Sequence, residues 1–115
     1  MGVADLTNLE TVQLSNNTLS GSIPFGLDKL TNLVHLKLFT NKLTGLVSPG
    51  IGMGSKRVEF DVSTNDLSGP LPQNVCRGRV LVAFIVFENK FNGRLLEFLG
   101  NCHSLTNVQV LDILL

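Results

Sequence analysis

An asparagine recurs every 24 residues along most of this 115-residue chain, at Asn17, Asn41, Asn65 and Asn89. Each asparagine is followed two residues later by an apolar residue and four residues later by a glycine. The apolar residues are Leu19, Leu43, Leu67 and Phe91, and the glycines are Gly21, Gly45, Gly69 and Gly93. Four copies in one register do not arise by chance. The chain is therefore expected to be a stack of similar units that bury apolar surface against one another.

The residues before each asparagine are typical of a leucine-rich repeat. In each unit, two or three apolar residues are spaced as in a short strand with one buried face. They are Leu9, Val12 and Leu14; Leu33, Leu36 and Leu38; Phe60 and Val62; Leu81, Phe84 and Val86; and Leu105, Val108 and Val110. The predicted fold class is a leucine-rich-repeat solenoid, an α/β-class horseshoe. Short parallel strands are expected on its concave face, with turns and 3-10 segments on its convex face.

The period divides the chain into about four and a half 24-residue units that form a single domain over residues 1–115. The expected repeats cover residues 9–32, 33–56, 57–80 and 81–104, with a partial repeat at 105–115. Their strands are expected, in one parallel sheet, at residues 11–15, 35–39, 59–63, 83–87 and 107–110. In the third unit Arg57 takes the first apolar position, and Val58 is expected to replace it through a local shift.

The repeated asparagines have a structural explanation, because an amide side chain both donates and accepts hydrogen bonds. A column of inward-turned amides is expected to satisfy buried backbone groups of the turns from coil to coil. Its members are Asn17, Asn41, Asn65 and Asn89.

Two Ile-Pro or Leu-Pro pairs, Ile23-Pro24 and Leu71-Pro72, follow their glycines and are typical of the plant-specific repeat subclass. The pattern is similar to the consensus LxxLxLxxNxLxGxIPxxLxxL. Ser48 takes the proline position in the second unit, and Leu96 takes it in the fourth. These departures are expected to weaken the second, outer strand of their units.

Composition excludes some classes of function. The net charge is zero, the pI is about 6.7 and no run of Lys or Arg occurs, which argues against nucleic-acid binding. The longest apolar run, residues 80–87, is far shorter than the roughly 18 residues that a membrane helix needs. No membrane contact is expected from this segment. The first residues resemble no secretory signal. The chain opens and closes inside the repeat pattern, so we interpret it as a piece of a longer protein or a truncated product.

The two cysteines and the glycines of residues 50–54 are further candidate site residues. Cys76 and Cys102 fall on neighbouring coils, so a disulfide is conceivable, and two buried apolar side chains are the alternative. With His103 they give only three ligands at a spacing unlike that of zinc sites. Gly50, Gly52 and Gly54 lack the Lys-Ser/Thr of a phosphate loop. No catalytic constellation, metal site or cofactor site is predicted, so the chain is not expected to be an enzyme.

The concave face is where we expect a partner. Its solvent-facing columns place His35 opposite Glu59 and Lys37 opposite Asp61, as pairs on adjacent strands. Apolar residues also occur on this face, which suggests a peptide or protein surface, with neutral drift in a decaying repeat as the alternative. These are Phe39, Ile85, Phe87 and Leu111. The candidate ligand-binding residues are His35, Lys37, Phe39, Glu59, Asp61, Ile85, Phe87, Asn107 and Gln109.

Beyond the repeat class, residues 6–110 resemble the ectodomains of plant leucine-rich-repeat receptor kinases, most of all the HAESA-like peptide-hormone receptors. The resemblance rests on residues 59–65 (EFDVSTN), the turn at 69–72, Cys76 and residues 100–105 (GNCHSL). It implies an ectodomain on the extracellular side of the plasma membrane that binds a secreted peptide and then a co-receptor kinase. In that family two arginines after the Cys-x-Ser-Leu segment bind the peptide carboxylate. Asn107 and Gln109 stand at those positions, and they carry no charge.

Two hypotheses follow from these features. The first is a peptide- or protein-binding fragment of a receptor ectodomain, whose gene would be labelled a receptor-like serine/threonine kinase although the chain has no kinase motif. The second is a truncated soluble scaffold or a non-functional gene fragment. Asn16 in the sequon Asn16-Asn17-Thr18 is a candidate glycosylation site if the protein is secreted, because Asn17 is expected to be buried.

Overall fold

The computed structural model describes residues 8–51, 57–71, 80–92, 100 and 102–110, whose strands form two parallel sheets. The first sheet contains, in spatial order, β1 (Thr11–Gln13), β3 (His35–Lys37), β5 (Arg57–Asp61), β7 (Val80–Ile85) and β9 (Asn107–Gln109). The second contains β2 (Ser20–Ser22), β4 (Lys42–Leu46), β6 (Asp66–Pro70) and β8 (Lys90–Asn92). Each of the first four coils contributes one strand to each sheet, and the fifth contributes β9 to the first sheet. The predicted leucine-rich-repeat solenoid is confirmed.

The first sheet follows the 24-residue period. Thr11 is in register with His35, and the same column continues through Glu59, Ala83 and Asn107. The first four strands end two residues earlier than predicted, and the chain then turns at the residue before each recurring asparagine, which has a left-handed backbone. This residue is Asn16, Thr40, Thr64 or Glu88, with φ between 54° and 58°. Backbone hydrogen bonds still join the coils there, as from Asn16 N to Phe39 O at 3.0 Å.

The third unit keeps its core despite Arg57. Val58 is 1% exposed, and it pairs with Leu81, which is fully buried. The register between β5 and β7 shifts by one residue between Val58 and Glu59, so a bulge absorbs the displacement. The expected replacement of Arg57 by Val58 is confirmed.

The second sheet corrects one expectation. Loss of the proline position was expected to weaken the outer strand of the second unit, but β4 has five residues whereas β2, which precedes Pro24, has three. The strand ends before that position, so its backbone pairing does not depend on the proline. Ser48 instead donates a hydrogen bond from its hydroxyl to the Asp28 carboxylate. The fourth unit retains β8, and Leu96 lies outside the described residues.

The core lies between the two sheets and the convex segments. A 3-10 helix (Phe25–Lys29) follows Pro24 and packs with Leu27 and Leu30 buried. The rings of Phe60 and Phe84 stack between neighbouring coils, with their centroids 5.8 Å apart. The remaining buried members include Leu33, Leu36, Leu38, Leu43, Val62, Leu67, Val86 and Phe91. This packing gives the concave sheet a rigid support.

The asparagine column links each coil to the one before it. Asn65 Nδ2 donates to Leu38 O at 2.9 Å and to Val62 O at 3.0 Å, and Asn65 Oδ1 accepts from Leu43 N at 3.1 Å. Asn41 and Asn89 repeat this pattern. Asn17 is exposed and, among the described residues, donates only to carbonyls of its own coil, Leu14 O and Ser15 O. The other three amides bridge neighbouring coils in a way that fixes the spacing of the sheet.

Candidate functional site

The concave face is formed by the outward side chains of β3, β5, β7 and β9 together with the residues that follow them. All nine candidate residues predicted from the sequence lie on this face, but they differ in exposure. Asn107 and Gln109 are exposed, and the others are partly buried: His35, Lys37, Phe39, Glu59, Asp61, Ile85 and Phe87. Leu111, predicted to extend the apolar part, lies outside the described residues. The face is therefore mixed, with charged, amide and apolar groups close together.

His35 and Glu59 are adjacent across β3 and β5. His35 Nδ1 lies 2.5 Å from Glu59 Oε2, and the two side chains are 39% and 29% exposed. Because both remain accessible to water, the pair contributes little to stability. The contact is an ion-pair distance without hydrogen-bond geometry at His35 Nδ1, so it places the imidazole against one oxygen of the Glu59 carboxylate. The other oxygen accepts no hydrogen bond from the described residues.

The expected pairing of Lys37 with Asp61 is wrong at the level of side chains. Their backbones are in register, but the two groups form no ion pair. Asp61 Oδ1 instead accepts hydrogen bonds from Ser63 N at 3.0 Å and from Ser63 Oγ at 2.7 Å. The side chain therefore turns along its own strand, where two local hydrogen bonds compete successfully with the ammonium group of the partly buried Lys37.

Ser63 is a feature that the sequence analysis did not single out. It is 3% exposed and stands between Phe39 and Phe87 in the 24-residue register. A small residue between two aromatic ones was the available signal. Phe39 and Phe87 are only partly buried, so the predicted apolar patch persists in reduced form.

A concave cavity of about 200 Å³ occupies the middle of this face. Ala83 explains its position, because the same column carries the larger Glu59 and Asn107 on either side. The short side chain leaves a depression that its neighbours surround. The cavity is lined by Lys37, Glu59, Phe60, Asp61, Ala83, Ile85 and Asn107. Five of these seven were candidate ligand-binding residues, and Ala83 was missed because it carries no functional group.

Asn107 and Gln109 lie two residues apart on β9 and on the same face of the sheet. Gln109 Nε2 donates to Asn107 Oδ1 at 3.1 Å. The other side-chain amide hydrogens and Gln109 Oε1 form no hydrogen bond with the described residues, so they can contact a ligand. The amide pair thus forms one wall of the face and continues the cavity toward the exposed edge of the sheet.

A second cavity, of about 460 Å³, opens at the first coil. Its lining is mainly apolar and includes Leu14 and Leu19, which are 48% and 38% exposed. In later coils the equivalent positions, such as Leu38 and Leu43, are covered by the preceding coil and are buried. The cavity is therefore the open side of a repeat and lacks the convergent polar groups expected of a specific site. We take the smaller concave cavity as the candidate site.

Three further sequence features can be located. Cys102 is 8% exposed and disulfide-bonded, and the other cysteine of the chain, Cys76, lies outside the described residues. Asn16 is exposed, consistent with a modifiable position. The expectation that Asn17 is buried is wrong, because no preceding coil among the described residues covers it and its side chain is exposed. Among the described residues, no group of three His, Cys, Asp or Glu side chains could hold a metal ion, and no helix could span a membrane.

Comparison with known proteins agrees with this description. The family model for leucine-rich repeats (two copies) matches residues 7–49. A sequence search of curated proteins finds no match. The fold is that of the leucine-rich-repeat ectodomains of plant membrane receptor kinases, three of which follow.

One similar structure is the ectodomain of GASSHO1/SCHENGEN3 from Arabidopsis thaliana in complex with CASPARIAN STRIP INTEGRITY FACTOR 2. The two structures match with a TM-score of 0.84 and 33% sequence identity, and the match covers 96% of this chain and 14% of that chain. Arabidopsis HAESA, in complex with an N-terminally extended IDA peptide hormone, has a TM-score of 0.84 and 38% identity, covering 94% and 18%. PEPR1 with AtPEP1 has a TM-score of 0.87 and 26% identity, covering 96% and 16%. The chain thus spans less than a fifth of the length of these ectodomains.

Proposed function

We propose that this chain is a non-catalytic peptide-binding module from a plant receptor-kinase ectodomain, of the HAESA-like subgroup. The observation that carries the proposal is the concave cavity at Ala83, which joins charged, amide and apolar groups from β3, β5, β7 and β9. The similar HAESA ectodomain is bound to a peptide hormone in its solved structure. A secreted peptide and a co-receptor kinase are the partners that this function requires, on the extracellular side of the plasma membrane.

The arrangement suits an extended peptide better than a small compact ligand. The cavity volume of about 200 Å³ accommodates a single side chain, which is less than the roughly 300–1,000 Å³ of small-molecule pockets. Around it, Phe87, Ile85 and the amides of β9 continue the face across neighbouring coils. A peptide lying across the strands would place one side chain in the cavity and its neighbours on these groups.

Filling the cavity tests peptide binding directly. The 115-residue chain is used to select binders from a phage-displayed library of random linear peptides, and their affinities are measured by isothermal titration calorimetry. Ala83→Arg should weaken binding at least about tenfold, because the new side chain occupies the depression. Thr11→Arg is the matched control, since residue 11 occupies the same column on β1 and lies outside this cavity. Equal affinities for both variants, or a library without binders, would overturn the proposal.

The subgroup assignment has its own test in Asn107 and Gln109, which stand where the HAESA-like receptors carry two arginines. The double variant Asn107→Arg/Gln109→Arg should bind the IDA peptide at least about tenfold more tightly than the unmodified chain does, through charge-assisted bonds to the peptide carboxylate. An IDA peptide with an amidated C-terminus should show no such gain. Thr11→Arg/Gln13→Arg adds the same charge at the same positions of β1. A gain in that control alone, or in neither variant, would contradict the HAESA-like placement.

A further inference from the structure

The lining of the concave cavity carries more negative than positive groups. Its lining carries two carboxylates, Glu59 and Asp61, and one ammonium group, Lys37. Resting on the proposed peptide-binding function, we propose that the ligand side chain that enters this cavity is cationic, an arginine or a lysine. The proposal follows from how each carboxylate is held and from what surrounds it.

Asp61 is fixed with one oxygen available. Its Oδ1 accepts both hydrogen bonds from Ser63, which is itself 3% exposed. Its Oδ2 accepts no hydrogen bond from the described residues. A carboxylate already held by a buried partner loses little freedom when it binds a cation, so the interaction costs less entropy than one with a mobile side chain.

Glu59 provides a second oxygen on the same face. Residues 59 and 61 of β5 point to the same side, with their Cα atoms roughly 7 Å apart. His35 contacts Glu59 Oε2, and Oε1 has no partner among the described residues. A guanidinium placed between the two side chains could therefore contact both carboxylates, because its donors form a broad planar fork.

The apolar part of the lining favours a side chain over a small free ion. Ala83 and Ile85 lie beside the carboxylates, and arginine and lysine carry apolar stems that pack on such surfaces while the charged head reaches a polar group. Lys37 forms no ion pair with either carboxylate, so a ligand cation has no internal ion pair to displace. Lys37 repels a cationic ligand, so removal of its charge should increase the affinity for that ligand. This is a second test of the proposal.

The test uses a peptide selected from the random library by the unmodified chain. A required arginine or lysine is expected, and its replacement by neutral citrulline or norleucine should weaken binding at least about tenfold. Asp61→Asn should remove this preference while preserving Ser63 N–H bonding through the amide oxygen. Asp66→Asn, an identical change on the second sheet, should alter affinity less than about twofold. Lys37→Met should strengthen binding of the cationic peptide.

The outcomes separate this inference from the proposed function. Peptides whose binding is weakened by Ala83→Arg but that need no arginine or lysine would overturn only the inference. Equal weakening of the charged and neutral peptides by Asp61→Asn would also overturn it, because a purely structural role for Asp61 would act in that way. Urea midpoints of each variant establish that the fold is retained. A library that yields no binder overturns the proposed function, and this inference falls with it.

Discussion

Replacing Asn65 by alanine tests how the coils are held together. The amide of Asn65 bridges the second and third coils, donating to Leu38 O and accepting from Leu43 N. It also donates to Val62 O in its own coil. Leu43 and Val62 are 5% and 0% exposed, so water cannot easily replace these bonds. The substitution therefore removes several hydrogen bonds in a region from which solvent is excluded.

The cost depends on which groups lose their only partner. Leu38 O still accepts from Asn41 at 3.0 Å, and Val62 O still accepts from Asn89 at 2.9 Å. The Leu43 N–H loses the acceptor on Asn65, and a buried donor left in this way costs about 1–3 kcal/mol. Adding roughly 1 kcal/mol for the bonds lost at the carbonyls gives an expected destabilisation of about 2–4 kcal/mol.

Urea unfolding followed by circular dichroism measures this change. Asn17→Ala is the matched control, because Asn17 occupies the same repeat position but is exposed and bonds only within its own coil. It should cost less than about 1 kcal/mol, as should Lys37→Ala. Asn65→Asp should destabilise at least as much as Asn65→Ala, since a carboxylate would face the three carbonyl oxygens to which the amide donates. Equal free-energy changes for Asn65→Ala and Asn17→Ala would refute the bridging role.

Three other outcomes are expected. Val58→Ala should destabilise the chain by about 1–3 kcal/mol in urea unfolding, because Val58 is buried at the bulge. Leu46→Ala, at a residue 61% exposed, should change the free energy of unfolding by less than about 0.5 kcal/mol. Similar values for the two variants would contradict the assignment of Val58 to the core. Gly69→Ala and Gly21→Ala should each cost about 1–2 kcal/mol of unfolding free energy, since both glycines have φ near +79°. A Cβ at Gly69 would meet the Leu46 side chain, which is free to rotate away. A much larger loss of stability for Gly69→Ala would show that Leu46 is fixed. Secreted from a eukaryotic host, the chain should carry a glycan that glycosidase removes and Asn16→Gln abolishes, and an unmodified secreted chain would contradict the accessibility of Asn16.

The sequence predicted the parts of the fold that depend on periodicity. The 24-residue register of the first sheet and the replacement of Arg57 by Val58 both follow from where apolar residues must lie. The outer strand was misjudged because Ser48 breaks the consensus while the backbone pairing before it is intact. A residue that departs from the consensus therefore does not imply that the strand before it has lost backbone hydrogen bonds.

The candidate face was predicted only as a set of positions. Register placed Lys37 opposite Asp61, but the choice of Ser63 as hydrogen-bond partner depends on side-chain rotamers that no spacing rule contains. The cavity was not predicted because it arises from the absence of a side chain at Ala83 between larger neighbours. Sequence patterns identify side chains that can bind a ligand, whereas the prediction of a cavity requires knowledge of how the surrounding side chains pack.

The most direct test of the account asks which cavity a bound peptide occupies. Isoleucine methyl labelling provides one reporter in each, since Ile85 lines the concave cavity and Ile23 lines the cavity at the first coil. Ile51, which is 1% exposed, serves as a core reference. Titration with the library-selected peptide should shift the Ile85 methyl resonance and leave those of Ile23 and Ile51 in place. A shift of Ile23 with Ile85 unchanged would contradict peptide binding at the concave face.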